Sequence, residues 1–234
     1  MDPSTRQTLE QVSHENVARK MRLDYSYAKG DRNLRVMDAV QGLFSHLQTH
    51  QVDTRSLISE GANLINRHFS IREVAIGLRS ATDGKYRYEM LVGYRKESEE
   101  AHKRLAYSFT EMYDEVKYKG TVLSKYTRLF LAEDEPYAPG EETTYSRPIM
   151  LKLRRKGLED SIEGDYIDTY IYGTNEELLG WIEISGTTAW KLPDIATIKW
   201  IEVIACIIGT ALSPRFSAGN VPTEPLKSKE SAHD

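Results

Sequence analysis

The chain has one cysteine, Cys206, among its 234 residues. A single thiol closes no intramolecular disulfide and cannot by itself build a zinc site. Packing must therefore hold the fold, as is usual in a reducing cytoplasm, where the chain is expected to reside. No apolar run approaches the roughly 18 residues that span a bilayer, and the opening residues MDPSTRQTLEQVSHE hold no basic stretch leading into an apolar one. Neither export nor a membrane partner is expected. A dominant charge is also missing: 31 Lys and Arg against 35 Asp and Glu leave a formal net charge of −4. That balance offers no chain-wide attraction for nucleic acid, which is not expected as a partner. What is present is a globular composition, 40% hydrophobic and 28% charged, in a length that fits one domain with appendages.

Residues 1–30 are charged and poor in apolar positions, and read as a mobile or partner-dependent arm. Over residues 32–48, Val36, Val40, Leu43 and Leu47 recur at spacings of four, three and four, which predicts an amphipathic helix. A second helix follows from Asp53, a good N-cap, through Leu57, Ile58, Gly61, Ile65 and Phe69. From residue 71 the period changes to two: Val74, Ile76 and Leu78 alternate along one strand. After a Thr82-Asp83-Gly84-Lys85 turn, Tyr86, Tyr88, Met90, Val92 and Tyr94 alternate along the next, which predicts a hairpin with an aromatic face. Residues 97–118 read as helical, with Ser108 and Glu111 in capping-box spacing. Residues 126–131 read as a strand, 132–142 as a loop, and 146–160 as ambiguous, with a possible strand near Pro148.

The strongest signal comes last. YIDTYIY and LLGWIEIS flank the turn Gly173-Thr174-Asn175-Glu176, and an apolar helix runs from Asp194 to Leu212, where Ser213-Pro214 is expected to stop it. That helix is apolar on several sides and must be covered on several sides. Residues 214–234 read as a disordered tail.

No residues assemble into a reaction centre. Cys206 sits mid-helix and reads as a small buried hydrophobe. The six histidines form no ligand constellation, although His46 and His50 are four apart, and they read as surface residues. The acids Glu133-Asp134-Glu135 lack calcium-loop spacing, and the basic run 151–156, with Tyr145 and Arg147 before it, reads as a solvated edge. More suggestive are the 14 tyrosines, many on predicted strands, since an apolar ring with a polar tip suits the lining of a small-molecule pocket. Tyr88, Tyr113, Tyr126, Arg128 and Tyr170 are the candidate ligand residues.

The order of helices, paired strands, helical region, strands, closing hairpin and helix resembles the GAF domain, a small-molecule-sensing and dimerising module of signalling proteins. The resemblance is most specific at EELLGWIEIS and at KLPDIATIKWIEVIACIIGTAL, similar to a closing helix with an embedded Glu. A PAS domain fits less well, because its long central helix and three consecutive closing strands are not matched. The resemblance implies an α+β fold: an antiparallel sheet flanked by helices, with an N-terminal helical extension. Residues 31–213 would form the GAF-like domain, between the arm at 1–30 and the tail at 214–234. It further implies a non-enzymatic regulatory or sensory role, with a small ligand, a homodimer and a signalling protein as partners. The dimer helices would present Val36, Val40, Leu43, Trp200, Val203 and Ile207. The family's cyclic-nucleotide residue set, NKFDE, has no match here, and no cofactor or metal is named by the residues. A scaffold of the same fold with its pocket filled by side chains, or an enzyme with an unrecognised site, remain the alternatives.

Overall fold

A computed structural model describes residues 14–28, 31–45 and 53–217. The chain divides into two compact units, Met1–Ala39 and Val40–Asp234. The first unit holds α1 (His14–Ala28) and the start of α2 (Arg32–Ser45). Much of the expected polar arm is therefore helical. Its apolar side chains Val17, Met21 and Tyr25 are exposed. They recur every four residues and line one side of α1.

The second unit is built on a six-stranded sheet in the order β2-β1-β6-β5-β4-β3. Its strands are β1 (Val74–Arg79), β2 (Tyr86–Val92), β3 (Thr121–Val122), β4 (Thr127–Phe130), β5 (Tyr166–Tyr172) and β6 (Leu178–Ile184). Every neighbouring pair is antiparallel. Strands β6 and β5 lie in the middle with β1 beside them, and all three are buried on nearly every residue, because both faces of the sheet are covered. The register is irregular at one telling place: Ile76 faces Met90 and Gly77 faces Tyr88, leaving Glu89 as an extra residue. That bulge breaks the expected aromatic alternation. Tyr86 and Tyr88 stay on one face of the sheet, while Met90 and Val92 turn to the other.

Helices α3 (Thr54–His68) and α6 (Ile195–Ser217) cover the face lined by Val74, Ile76, Ile182 and Ile184. Asp53 caps α3 as expected, accepting from the backbone N–H groups of Arg55 and Ser56. Helix α6 does not end at Leu212 but continues through Pro214 to Ser217. By length and composition its Ile195–Ser213 stretch could cross a membrane, contrary to the reading of the apolar runs, yet here it packs on β5 and β6. Gly209 permits the contact, since a Cβ there would lie 2.1 Å from the Tyr172 carbonyl oxygen. The embedded acid of α6 is Glu202, which accepts from Ser124 Oγ at 2.5 Å, Thr127 Oγ1 at 2.9 Å and Lys199 Nζ at 2.7 Å. It ties the helix to the start of β4. Cys206, expected to be buried, is exposed.

The opposite face is covered by the 96–145 layer, meaning those of residues 96–145 that lie outside β3 and β4. The expected continuous helical region there is instead α4 (Lys96–His102), a turn-rich link whose Tyr107 bridges back to Tyr86, and the single turn α5 (Phe109–Met112). Both halves of the Ser108–Glu111 capping box form. Residues 146–160 contain no strand; their one regular turn is the 3-10 segment Pro148–Met150. Within the basic run Lys152, Arg154 and Lys156 are exposed as expected, while Arg155 is anchored, pairing with Glu133 at 3.0 Å and with the buried Asp165 at 2.7 Å.

Candidate functional site

The strand register fixes which side chains face the 96–145 layer. Arg128 pairs with Asp168 across β4 and β5, and Asp168 pairs with Glu183 across β5 and β6. The next row runs Tyr170, Trp181, Gly77, Tyr88. Side chains alternate with period two, so both rows project to the same face. Gly77 has a specific role in the second row: a Cβ there would stand 2.0 Å from Cη2 of Trp181. The indole lies flat over that glycine and meets Tyr88 edge-on at 4.9 Å.

Glu183 is well supplied with donors. It accepts from Tyr88 Oη at 2.7 Å and from Tyr94 Oη at 3.3 Å, and His102 Nε2 stands 3.9 Å away. His102, expected at the surface with the other histidines, is 3% exposed. Its Nδ1 lies 2.9 Å from the Ser98 carbonyl oxygen; a carbonyl can only accept, so Nδ1 carries a proton and Nε2 is turned toward the carboxylate. Burial works to raise the Glu183 pKa, but His102 and the two tyrosine hydroxyls outweigh it and the net direction is down.

Asp168 is the opposite case. It is 8% exposed and its Oδ1 has no hydrogen-bond partner among the described residues. Burial and the neighbouring Glu183 charge push its pKa well above the usual carboxylate range, against the pull of Arg128. Arg128 is turned elsewhere: its guanidinium lies 5.7 Å and 6.0 Å from the rings of Tyr113 and Tyr170 and reaches Glu115 at 3.4 Å. The two facing acids are thus pushed in opposite directions, Glu183 toward the anion and Asp168 toward the neutral acid.

Asp168 and Glu183 border a chamber of about 50 Å³. Six rings line it, Tyr88, Tyr107 and Trp181 among them, with a third acid, Glu111. A second void of about 20 Å³ lies beyond Glu183, next to Tyr94, His102 and Tyr145. A larger open groove of about 590 Å³ runs along the sheet edge from Asp53, where the described chain resumes, to Leu212.

The residues expected from the sequence fall into two groups on this face. Tyr113, Arg128 and Tyr170 come together, with Tyr113 and Tyr170 ring centroids 5.4 Å apart. Tyr126 meets Tyr170 through its backbone, its carbonyl accepting from the Tyr170 N–H at 2.7 Å, and its ring lies 6.0 Å from that of Tyr172. Tyr88 stands apart from that group and borders the chamber. Of the residues expected to present a dimer surface, Val36, Val40, Leu43 and Ile207 are buried in the chain, Trp200 is half-buried and Val203 is exposed. Sequence reasoning missed Asp168, Glu183 and His102. The signal was an acid interrupting each strand of the closing hairpin, YIDTYIY and LLGWIEIS, at positions that the register sets opposite each other.

No protein-family model and no curated protein matches the chain. Solved structures do resemble it in fold. The GAF domain of a phosphoenolpyruvate-protein phosphotransferase from Coxiella burnetii superposes with a TM-score of 0.52 at 10% identity, over 80% of this chain and 98% of that one. The corresponding GAF domain from Acinetobacter gives 0.50 at 9% identity, over 80% and 97%. A GAF domain/HD domain protein from Geobacter sulfurreducens gives 0.50 at 9% identity, over 71% and 95%. The fold is GAF-like, an α+β arrangement of an antiparallel sheet flanked by helices.

Proposed function

We propose that the chain is a non-enzymatic regulatory domain of the sensory kind, which binds a small ligand in the chamber beside Asp168 and pairs with a second copy through its helices. The observation that carries this reading is the Asp168 carboxyl. Buried polar groups are almost always satisfied within a fold, so an orphaned acid bordering a cavity is a position whose partner comes from outside. The fold supplies a route outward. Thr169, the next residue on β5, faces α6 and lies 3.3 Å from Thr127 Oγ1, which donates to Glu202 of α6. A shift of β5 on ligand binding would reach the closing helix within two contacts.

Pairing is supported by apolar side chains left in solvent. Met37 and Phe44, one heptad apart on α2, are each 51% exposed, and α1 carries the exposed stripe described above. A helix of about 15 residues is marginal alone in water, so α1 needs a covering surface. A signalling protein is the second partner that such a surface would serve.

A thermal-shift screen of small metabolites of positive, negative and zero charge, run on wild type and Asp168→Asn, tests the ligand, and light scattering tests the dimer. The expected result is a stabilising compound whose effect is lost in the variant, on a chain of twice the monomer mass. One observation favours the scaffold reading: voids of about 50 Å³ and about 20 Å³ are far below the ~300 to 1,000 Å³ of drug-sized ligand sites. A dimer that no compound stabilises would establish that reading instead.

A further inference from the structure

We infer that the chamber between the 96–145 layer and strands β4, β5 and β6 is a site for a small organic cation, a primary ammonium group on a short stem, with Asp168 as its principal anchor. This names the ligand class and rests on the ligand-binding reading above. The lining decides the sign of the charge. Three carboxyl groups, Glu111, Asp168 and Glu183, border the chamber, and neither lysine nor arginine does so. The nearest guanidinium on the sheet, that of Arg128, is engaged with Glu115 and with the faces of Tyr113 and Tyr170. Glu111 is already balanced by Lys117 at 3.6 Å, which leaves Asp168 and Glu183 to repel an anion, with no base among the lining residues to offset them.

The walls decide between an organic cation and a metal ion. Calcium or magnesium takes six or more oxygen ligands, and Glu111 and Glu183 already have donors: Glu111 caps Ser108 and Glu183 receives two tyrosines. What remains is one unpartnered carboxyl, Asp168, surrounded by aromatic rings. Ring faces attract ammonium groups by their quadrupoles, and desolvation strengthens that attraction. An ammonium group also supplies three donors, enough for Asp168 Oδ1 and for lone pairs on Glu183 that the tyrosines leave open.

The volume sets the size. A space of about 50 Å³, at ~10 to 15 Å³ for each water-sized group, holds about four heavy atoms, the size of propylammonium. The proton balance follows from the direction in which burial and Glu183 push the Asp168 pKa in the empty chamber, which is upward. A bound cation favours the ionised carboxylate. Binding therefore releases a proton, and affinity rises with pH over the range in which the amine stays charged. The charged groups facing Asp168 in this balance are Glu183 on β6 and Arg128 on β4.

The test is calorimetric titration of the full chain with propylammonium, 1-propanol and propionate, three probes of similar size and different charge. Wild type, Asp168→Asn and Glu176→Gln are compared, the last altering an exposed partner of Lys125 outside the chamber. One propylammonium per chain is expected, with no heat from propanol or propionate. Affinity should fall at least about tenfold in Asp168→Asn and stay unchanged in Glu176→Gln. The Trp181 indole N–H signal of wild type should move on titration, a readout that stands even where the aspartate variant folds poorly. Equal or tighter binding of propionate or propanol, or undiminished binding by Asp168→Asn, would overturn the cation assignment and leave the ligand-binding reading standing. Silence from all three probes, with a stabilising metabolite of another class found in the thermal screen, would do the same. Silence in both experiments would end both readings.

Discussion

Asp168 and Glu183 face each other directly across β5 and β6, yet Glu183 accepts hydrogen bonds from two tyrosines while Asp168 Oδ1 has no partner among the described residues. Like charges at directly opposed positions destabilise a sheet. The pair resolves the conflict by keeping its charge on the side that has donors.

Replacing the orphaned member should stabilise the fold at alkaline pH. The folded-state pKa of Asp168 is raised above its unfolded value of ~3.9. Its contribution to stability is therefore full below that value and is lost as pH rises through the folded pKa. Asp168→Asn removes the dependence and places an amide donor opposite Glu183. Thermal melts from about pH 5 to about pH 9 should show wild type falling behind the variant as pH rises, by on the order of 1 kcal/mol at the alkaline end. A variant less stable at every pH would contradict this.

Glu183→Gln should act in the opposite direction. The folded pKa of Glu183 is depressed, so its contribution is present above the unfolded value of ~4.3 and lost as pH falls through the folded one. The amide leaves Tyr88 and Tyr94 donating to a weaker acceptor, at a cost of about 2 to 3 kcal/mol near neutral pH. Chemical denaturation at about pH 7 and about pH 3 checks it: the deficit should shrink in acid. An equal deficit at both would mean that the carboxylate charge contributes nothing.

Gly77→Ala tests the packing that shapes the chamber. With a Cβ placed 2.0 Å from the Trp181 ring, the indole must leave its position over β1, and overpacking of this kind costs about 1 to 3 kcal/mol. Near-ultraviolet circular dichroism should record the displaced indole together with the lowered melting temperature. An unchanged spectrum would place Trp181 elsewhere.

Much of this arrangement was legible in the sequence. The period-two runs located β1, β2, β5 and β6, and the apolar stripe of α6 located the layer behind them. Elements that rest on tertiary contact were not legible. The two-residue β3 has no periodicity to read, and residues 103–108 lose their helix because Tyr107 pairs with Tyr86. The Glu89 bulge, which turns Met90 and Val92 away from the tyrosines, left no mark in an alternating pattern. At the site, tyrosines were identified by residue type, but Asp168 and Glu183 become a pair only once register sets them side by side.

Glu202→Gln should loosen α6 from β4. Burial raises the Glu202 pKa, but Lys199, Ser124 and Thr127 outweigh it and the net direction is down, so the stability it contributes is present above ~4.3 and lost in acid. The amide retains shape but loses charge-assisted bonds, at a cost of about 1 to 2 kcal/mol. Hydrogen exchange should quicken at β4 and along α6 before it does at β1. Uniform acceleration across the sheet would assign Glu202 no local role.

Both functional readings depend on Asp168 being an unpaired, neutral acid at the edge of the chamber, and carboxyl-detected NMR measures that state directly. With side-chain carboxyl carbons labelled and titrated from about pH 3 to about pH 9, the Asp168 signal should titrate above the ordinary ~3.9 and after that of Glu183. An Asp168 signal that titrates near the ordinary ~3.9 would mean that the carboxyl has a partner or open water, and the account of the chamber would fail.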